Sequence, residues 1–228
     1  MSQKFNNTQH AILDAALKLA PFDGWTEKTL RQATKNINLP KGADELYFPN
    51  GILELVAFWS ASMDERAEAK IKSLDLPTMK IRDKVTAGVI ARLEAIGNHD
   101  EAARRVCARL MLPNGLVQGT TQIWASADMI WRAIGDTSTD GNFYSKRATL
   151  SAVLTATLPV WLSDESEGKL KGREFLDARI ADVMKFETFK WDVKTRSKDW
   201  PNPAEILGDL RYGKFPFKRQ RRRQSRSL

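Results

Sequence analysis

Helical periodicity runs through the first 190 residues of this 228-residue chain. Apolar residues recur every three or four positions, as at Ile12, Ala15, Ala16 and Leu19, whereas apolar and polar residues never alternate over more than a few positions. A stripe with this spacing lies on one face of an α-helix, and that face must be buried against other helices. The pattern therefore predicts an all-α fold, a helical bundle without a β-sheet.

Turn and capping residues divide this pattern into segments. A first helix is predicted from Thr8 to Ala20, ended by Pro21 and Gly24. Thr26 is predicted to cap a second helix that reaches about Asn36. The sequence also predicts a short helix from residue 40 to 47 and longer helices near residues 51–74, 78–97, 99–111, 115–134, 140–163 and 170–187.

The net charge of +8 is concentrated at one end of the chain. The last fifteen residues contain seven Lys and Arg and no acidic residue, so residues 1–213 carry only about +1 (8 − 7). Any strong attraction to a polyanion is therefore expected from the basic tail rather than from the folded body.

The first twenty residues predict no export signal. They lack the continuous apolar segment of a signal peptide and the Arg-rich, acid-free composition of a transit peptide. The single cysteine, Cys107, excludes an intramolecular disulfide and fits a small core residue. These features predict a protein of a bacterial-type cytoplasm.

Catalytic motifs are missing from the sequence. His10 and His99 are the only histidines, and Asn7 and Ile96 stand where a di-iron bundle would carry its glutamates. The sequence contains no phosphate-binding glycine loop, no Gly-x-Ser-x-Gly and no Cys-x-x-Cys. We therefore predict a protein that is not an enzyme and binds neither a metal nor a catalytic cofactor.

The N-terminal fifty residues resemble the helix-turn-helix module of TetR-type regulators. The resemblance lies in the pair Ala15-Ala16, in Gly24 and Thr26, and in Tyr47-Phe48 before Pro49. The segment that would read DNA, residues 41–46, contains two acidic residues and one lysine. Carboxylates facing a phosphate backbone oppose binding. We therefore expect a retained fold without specific DNA binding.

A longer resemblance begins with the segment Asp128–Arg147. It contains a Trp before Gly-Asp, then Ser-Thr-Asp-x-Asn, an aromatic pair and Lys-Arg. The chain resembles the ubiquinone biosynthesis accessory family that is the ninth of the COQ series. Further matches to this family extend to residue 187 and include Gly24-Trp25-Thr26, Phe48-Pro49-x-Gly51 and Asp164-x-Ser166. Gly141 departs from the family pattern, which more often has an aromatic residue there, and Phe143 stands where the family usually has Trp.

The resemblance implies that the Asp128–Arg147 segment docks the di-iron hydroxylase that acts on demethoxyubiquinone. Aromatic side chains beside carboxylates are typical of an interface hot spot with a polar rim. The alternative is that Trp131 and Phe143 belong to the core. The candidate partner-binding residues are Asp128, Ile130, Trp131, Asp140, Phe143 and Tyr144.

The helix from Lys146 to Leu162 is apolar over more than half of its circumference, which is typical of a central core or dimer helix. The resemblance implies instead a cavity for an isoprenoid tail or phospholipid chains, so that a bound lipid or isoprenoid quinone is expected. The candidate lining residues are Leu110, Met111, Leu116, Val117, Ile123, Val153, Leu154 and Leu158.

Aromatic and basic residues interleave after residue 185, and residues 203–212 have the pattern of a short amphipathic helix before the basic tail. Such a segment fits an anionic membrane surface, and the family resemblance also implies a C-terminal membrane-binding helix. The alternative is a basic tail that binds polyanions without selectivity. The candidate membrane-binding residues are Trp200, Ile206, Leu207, Leu210, Phe215 and Phe217.

The sequence thus predicts three regions: a helix-turn-helix module (1–50), a helical lipid-binding and dimerisation domain (51–190) and a membrane-binding segment with a basic tail (191–228). We expect a homodimer on the inner face of the cytoplasmic membrane that presents isoprenoid quinone intermediates to the hydroxylase. The alternatives are a TetR-type regulator that senses a hydrophobic ligand and a basic-tailed RNA-associated scaffold.

Overall fold

A computed structural model of the protein describes residues 2–139 and 141–196. Within these residues there are nine α-helices, two short 3-10 turns (Leu76–Thr78 and Glu167–Lys169) and no strand. The all-α prediction is confirmed. The helices are α1 (Ser2–Asp23), α2 (Glu27–Asn36), α3 (Ala43–Tyr47), α4 (Ile52–Lys72), α5 (Ile81–Glu94), α6 (Asp100–Leu110), α7 (Leu116–Ala133), α8 (Gly141–Ser163) and α9 (Leu170–Arg196).

The first helix is longer than the sequence predicts. It continues through Pro21 to Asp23 and ends at Gly24, which has a φ of +69° and donates its N–H to the carbonyl of Ala20 at 3.0 Å. Glycine adopts this left-handed conformation at little cost, so Gly24 rather than Pro21 ends the helix.

Thr26 caps α2 as predicted. Its Oγ1 accepts a hydrogen bond from the backbone N–H of Thr29 at 3.2 Å. The Oγ1 of Thr29 in turn donates to the carbonyl of Gly24 at 2.7 Å. The cap therefore fixes the turn between α1 and α2, which pack against each other in the N-terminal module.

Two tryptophans join the N-terminal module to the rest of the bundle. Trp25 and Trp59 are each 1% exposed, and their rings stack with centroids 5.4 Å apart. The indole N–H of Trp25 donates to the carbonyl of Ala102 at 2.9 Å, which connects the start of α2 to α6. The pair thus combines apolar burial with a hydrogen bond between distant parts of the chain.

The remaining helices surround a second part of the core. Helix α4 packs against α5 and α7, and α7 packs against α8. Gly88 of α5 is buried where the fully buried side chain of Ile130 of α7 approaches it, and a Cβ at Gly88 would lie 2.6 Å from Cγ2 of Ile130. A small residue is therefore needed at this crossing.

A polar cluster lies within these packed helices. Arg92 of α5 forms an ion pair with Asp64 of α4 and donates to the hydroxyl of Ser60 at 3.1 Å. Ser126 of α7 donates to Asp64 at 2.8 Å. Burial raises the pKa of Asp64 despite Arg92 and Ser126, which favour its ionised form. The cluster joins three helices through hydrogen bonds.

Asp164 organises the corner between α8 and α9. It is 4% exposed, and its carboxylate accepts hydrogen bonds from the hydroxyl of Ser166 at 2.6 Å and from the backbone N–H of Gly172 at 2.8 Å. The hydrogen bond from Ser166 is the largest influence on Asp164, and with the backbone N–H groups it lowers the pKa to about 2.

The described chain up to Val183 forms one compact unit, and Met184 begins another. None of the helices in residues 2–139 and 141–196 combines the length and the apolar character needed to cross a membrane. The three predicted regions stay predictions, and the predicted C-terminal amphipathic helix lies outside the described residues.

Candidate interaction surfaces

The sequence-predicted docking segment forms the corner between α7 and α8, defined here as residues 128–139 and 141–147. Helix α7 ends at Ala133, and Gly135, with a φ of +91°, turns the chain away from the helix axis. The N–H of Gly135 donates to the carbonyl of Arg132 at 3.0 Å, and that of Asp136 to the carbonyl of Trp131 at 2.9 Å. This glycine cap places Asp136 directly after the helix.

Arg147 of α8 lies at the centre of the α7–α8 corner and is 1% exposed. Its Nε donates to Oδ1 of Asp128 at 2.5 Å, and its Nη1 donates to Oδ2 of Asp136 at 3.2 Å. The Nη1 also lies 3.2 Å from the carbonyl oxygen of Phe143. The loss of hydration of a buried guanidinium is compensated only if its N–H groups form hydrogen bonds. Two carboxylates and one carbonyl accept hydrogen bonds from Arg147.

Asp136 is held ionised by the groups around it. Its side chain is 5% exposed, and burial opposes its charge. Hydrogen bonds from Lys146 at 2.7 Å, from Ser138 at 2.8 Å and from Arg147 outweigh burial and lower the pKa of Asp136 to about 2. Asp136 therefore keeps its charge at any physiological pH.

The carboxylates at this corner do not form a free acidic rim. Asp128 pairs with both Arg147 and Arg132, and Asp136 pairs with Lys146 and Arg147. Two carboxylates are thus surrounded by three cations. The sequence predicts aromatic residues beside carboxylates, and the ion pairs neutralise the two carboxylates described, Asp128 and Asp136. The spacing of Asp128, Asp136 and Lys146-Arg147 was the signal that could have indicated such pairing.

The aromatic residues at the corner differ in exposure. Tyr144 is 66% exposed, whereas Phe143 and Trp131 are half-buried. The ring centroid of Phe143 lies 3.5 Å from Cζ of Arg147 and 5.1 Å from the ring of Tyr144. The indole N–H of Trp131 donates to the carbonyl of Lys146 at 3.1 Å. Tyr144 is thus an exposed ring on a rigid base.

One of the candidate partner-binding residues is buried away from this surface, and another cannot be placed. Ile130 is 0% exposed and packs against Gly88, so its side chain belongs to the core. Asp140 lies outside the described residues. The surface that remains consists of Tyr144 with the half-buried Asp128, Trp131 and Phe143.

The eight candidate lipid-contacting residues fall into three classes of burial. Val153 and Leu154 of α8 are buried, 5% and 4% exposed. Leu110, Ile123 and Leu158 are half-buried. Met111, Leu116 and Val117 are exposed, together with Leu112, which the sequence did not single out. The structure therefore divides the set between the packed interior and the corner between α6 and α7.

The candidate membrane-binding residues Trp200, Ile206, Leu207, Leu210, Phe215 and Phe217 lie outside the described residues. In the part of the chain that the structure describes, no group of three His, Cys, Asp or Glu side chains is placed to hold a metal ion. Burial raises the pKa of the Cys107 thiol, so the reactive thiolate is disfavoured.

Comparison with known proteins confirms the resemblance found in the sequence. Residues 116–187, which include α7, the α7–α8 corner and α8, match the COQ9 family model. The chain is 29% identical over 182 residues to "Ubiquinone biosynthesis protein COQ9, mitochondrial" from Bos taurus, covering 77% of this chain and 57% of that protein. It is also 29% identical to the protein of the same name from Homo sapiens, with the same coverage.

A related protein from Dictyostelium discoideum, "Probable ubiquinone biosynthesis protein coq9, mitochondrial", is 25% identical over 193 residues, covering 80% of this chain and 62% of that protein. The chain thus spans somewhat more than half the length of these relatives. Their names give a biosynthetic role and state no reaction.

The fold is that of a TetR regulator. The crystal structure of a TetR transcriptional regulator from Nitrosomonas europaea matches with a TM-score of 0.62 at 17% identity, covering 77% of this chain and 97% of that chain. At this identity the match concerns the fold alone, and it confirms the predicted TetR-like architecture.

The predicted localisation is wrong. The sequence predicts a protein on the inner face of a bacterial-type cytoplasmic membrane, but the related proteins from Bos taurus, Homo sapiens and Dictyostelium discoideum are all named as mitochondrial. The expectation depended on the missing signal and transit features in the first twenty residues, and such an absence does not identify a compartment.

Proposed function

We propose, from the similarity of this chain to COQ9 proteins, that it acts in ubiquinone biosynthesis as a non-catalytic accessory protein. In this role it binds lipid, presents isoprenoid quinone intermediates and docks the di-iron demethoxyubiquinone hydroxylase. The names of the relatives support the pathway. The family match over residues 116–187 supports a role for the α7–α8 corner, because it includes that corner.

The observation that carries the docking proposal is the exposed ring of Tyr144 above the buried Arg147. Hot spots at protein interfaces are enriched in Tyr, Trp and Arg, and a rigid aromatic anchor loses little conformational entropy on binding. Arg147 contacts Asp128, Asp136 and Phe143, so the backbone beneath Tyr144 is fixed before a partner arrives. The corner therefore offers a preformed surface for the hydroxylase.

The lipid-binding proposal is supported by the composition of α8. Val153, Leu154 and Leu158 lie on its inward side, where they are buried or half-buried. An isoprenoid tail held among such side chains gains about 0.8 kcal/mol for each methylene removed from water. Delivery of the quinone then uses apolar burial and needs no catalytic group on this chain.

Binding to the hydroxylase tests the docking site. The variant Tyr144→Ser removes the exposed ring, and we expect its affinity for the hydroxylase to fall at least tenfold, or about 1.4 kcal/mol. The matched control is Phe22→Ser, because Phe22 is an aromatic residue on α1 that is 85% exposed. If Tyr144→Ser bound the hydroxylase as tightly as the wild type, the docking site would lie elsewhere. The same would follow if Tyr144→Ser and Phe22→Ser lost equal affinity.

Native mass spectrometry of the purified full chain, followed by organic extraction, tests the lipid proposal. We expect a copurifying isoprenoid quinone or phospholipid that remains when Tyr144 is replaced by serine. A chain without bound lipid under gentle conditions would argue for a protein that only docks its partner. Multi-angle light scattering tests the predicted homodimer in the same samples.

A TetR-type regulator that senses a hydrophobic ligand is the alternative from another class. The fold supports it, but α3 spans only five residues and carries Asp44 and Glu45 in its first turn. Specific DNA binding would have to overcome the repulsion between these carboxylates and the DNA phosphates.

A further inference from the structure

Four exposed apolar side chains are clustered at the corner between α6 and α7. Met111 is 75% exposed, Val117 is 78% exposed, and Leu112 and Leu116 are each 51% exposed. We call these four residues the apolar tip. Single exposed apolar residues are common on protein surfaces, but several within seven positions around one turn require an explanation.

The backbone of this corner holds the apolar tip outward. The N–H groups of Gly115 and Leu116 both donate to the carbonyl of Leu112, at 2.8 and 3.2 Å. Gly115 is buried, and a Cβ there would lie 2.8 Å from the carbonyl oxygen of Arg109 and 2.9 Å from Cα of Leu110. The corner is therefore closely packed at its base while its side chains remain in solvent.

The charge around the apolar tip is positive. No acidic residue occurs between Ala102 and Ala127, whereas that stretch contains Arg104, Arg105 and Arg109. Arg104 and Arg105 pair with Glu101. Arg109 donates to the side chain of Asn114 at 2.9 Å, and among the described residues it has no acidic partner. An unneutralised guanidinium therefore lies directly at the corner.

These features fit a bilayer better than a second protein. A protein interface of standard size engages about 20–30 residues on each side, so four residues are few for a stable dimer. Insertion into a bilayer needs no complementary surface, because each apolar side chain that enters the acyl region contributes independently. A cation beside the apolar residues suits the headgroup level of an anionic membrane.

We propose that the α6–α7 corner is a membrane-contact site of this protein. The apolar tip enters the acyl region of an anionic lipid bilayer, and Arg109 binds lipid phosphate at the headgroup level. The site consists of other residues than the sequence-predicted C-terminal segment. The inference rests on the proposed lipid-handling function, because a protein that takes up membrane lipids must approach the bilayer, but it does not depend on the hydroxylase.

A label at the apolar tip tests the insertion directly in the full chain. In a Cys107→Ser background, Val117→Cys carries an environment-sensitive fluorophore, and Thr155→Cys carries the same label at an exposed position of α8. Vesicles of phosphatidylcholine and phosphatidylserine contain lipids with a quencher in the acyl chain. We expect a blue shift and strong quenching at position 117 and neither at position 155. The absence of quenching at position 117 on bound vesicles would overturn the proposal.

Vesicle binding of unlabelled variants provides the second measurement. Met111→Ser with Val117→Ser is expected to weaken binding at least tenfold, and Arg109→Gln to reduce the difference between vesicles with and without phosphatidylserine. Thermal unfolding of the Met111→Ser, Val117→Ser variant should be unchanged, because both side chains are exposed. Unchanged vesicle binding in all variants would overturn the proposal that the apolar tip enters the bilayer.

Hydroxylase binding by the same variants separates the two proposals. If the variants of the apolar tip and Arg109 kept both their hydroxylase affinity and their vesicle binding, the membrane-contact site would be rejected. The proposed function would then remain in place. Loss of hydroxylase affinity in Tyr144→Ser, with vesicle binding unaffected, would support the docking site independently of the tip.

Discussion

Arg147 and Asp136 form an ion pair between the start of α8 and the residue that follows the cap of α7, with Nη1 and Oδ2 3.2 Å apart. Their side chains are 2% and 5% exposed. Because both groups are removed from water, each needs the other to compensate for the loss of hydration. The pair thus joins two helices whose connection carries the candidate docking surface.

Replacement of Arg147 by Met is therefore expected to destabilise the protein strongly. Removing one member of a buried ion pair costs about 3–5 kcal/mol, and the lower end applies here because Lys146 and Arg132 still pair with the two carboxylates. The control is Arg132→Met, since Arg132 pairs with the same Asp128 but is 70% exposed. It should cost less than about 1 kcal/mol. Urea unfolding measures both, and equal losses would contradict this account.

The acid stability of the protein should depend on Asp136. Its pKa falls from the ordinary 3.8 to about 2 in the folded state. A lowered pKa contributes stability that is complete above the unfolded value and is lost as the pH falls from about 4 to about 2. Asp136→Asn should therefore lower the melting temperature at neutral pH and make it decline less between pH 4 and 2. Asp164 titrates in the same range, so part of the decline should remain. If the melting temperatures of Asp136→Asn and the wild type fell in parallel with pH, the lowered pKa of Asp136 would not contribute to acid stability.

A methyl group at Gly88 should disturb the crossing of α5 and α7. The added Cβ would lie 2.6 Å from Cγ2 of the fully buried Ile130, and overpacking of a core costs about 1–3 kcal/mol. The matched control is Gly141→Ala at the exposed start of α8, where no atom lies within 4 Å of the new Cβ. Gly141→Ala should change the free energy of unfolding by no more than about 0.5 kcal/mol. If chemical denaturation gave equal free energies of unfolding, the close approach would not limit packing.

Most helix positions could be predicted from the sequence because capping residues and apolar stripes agree there. The predicted segments 115–134 and 140–163 correspond to Leu116–Ala133 and Gly141–Ser163. The prediction for the fifth helix began too early, because residues Leu76–Thr78 form a 3-10 turn and Met79 is extended. The third helix starts at Ala43 instead of Pro40, since Gly42 takes a left-handed conformation with a φ of +87°.

The candidate site was less predictable, because it depends on how α8 is rotated against α7. Arg147 meets Asp128 and Asp136 across 19 and 11 residues of sequence. Periodicity places each residue on a face but does not state which faces meet. The same limit explains Ile130, whose neighbour Trp131 is half-exposed while Ile130 packs inside. The exposure of Met111, Leu116 and Val117 was likewise not predictable, because the family resemblance implies a lipid cavity without stating which apolar side chains face solvent.

The short α3 should not contribute to DNA binding. Glu45 is exposed in its first turn, and a carboxylate against the DNA phosphates would weaken any complex in which α3 enters the groove. If α3 contacted DNA, Glu45→Ala would tighten binding more than removal of an exposed acid elsewhere. We expect Glu45→Ala and the control Glu174→Ala of α9 to change the affinity for a random duplex equally, as measured by fluorescence anisotropy across a salt titration. Binding selections on random duplexes should enrich no sequence. A gain in DNA affinity in Glu45→Ala but not in Glu174→Ala would instead support the hypothesis of a TetR-type regulator. An enriched DNA sequence that the Glu45→Ala variant binds more tightly would support the same hypothesis.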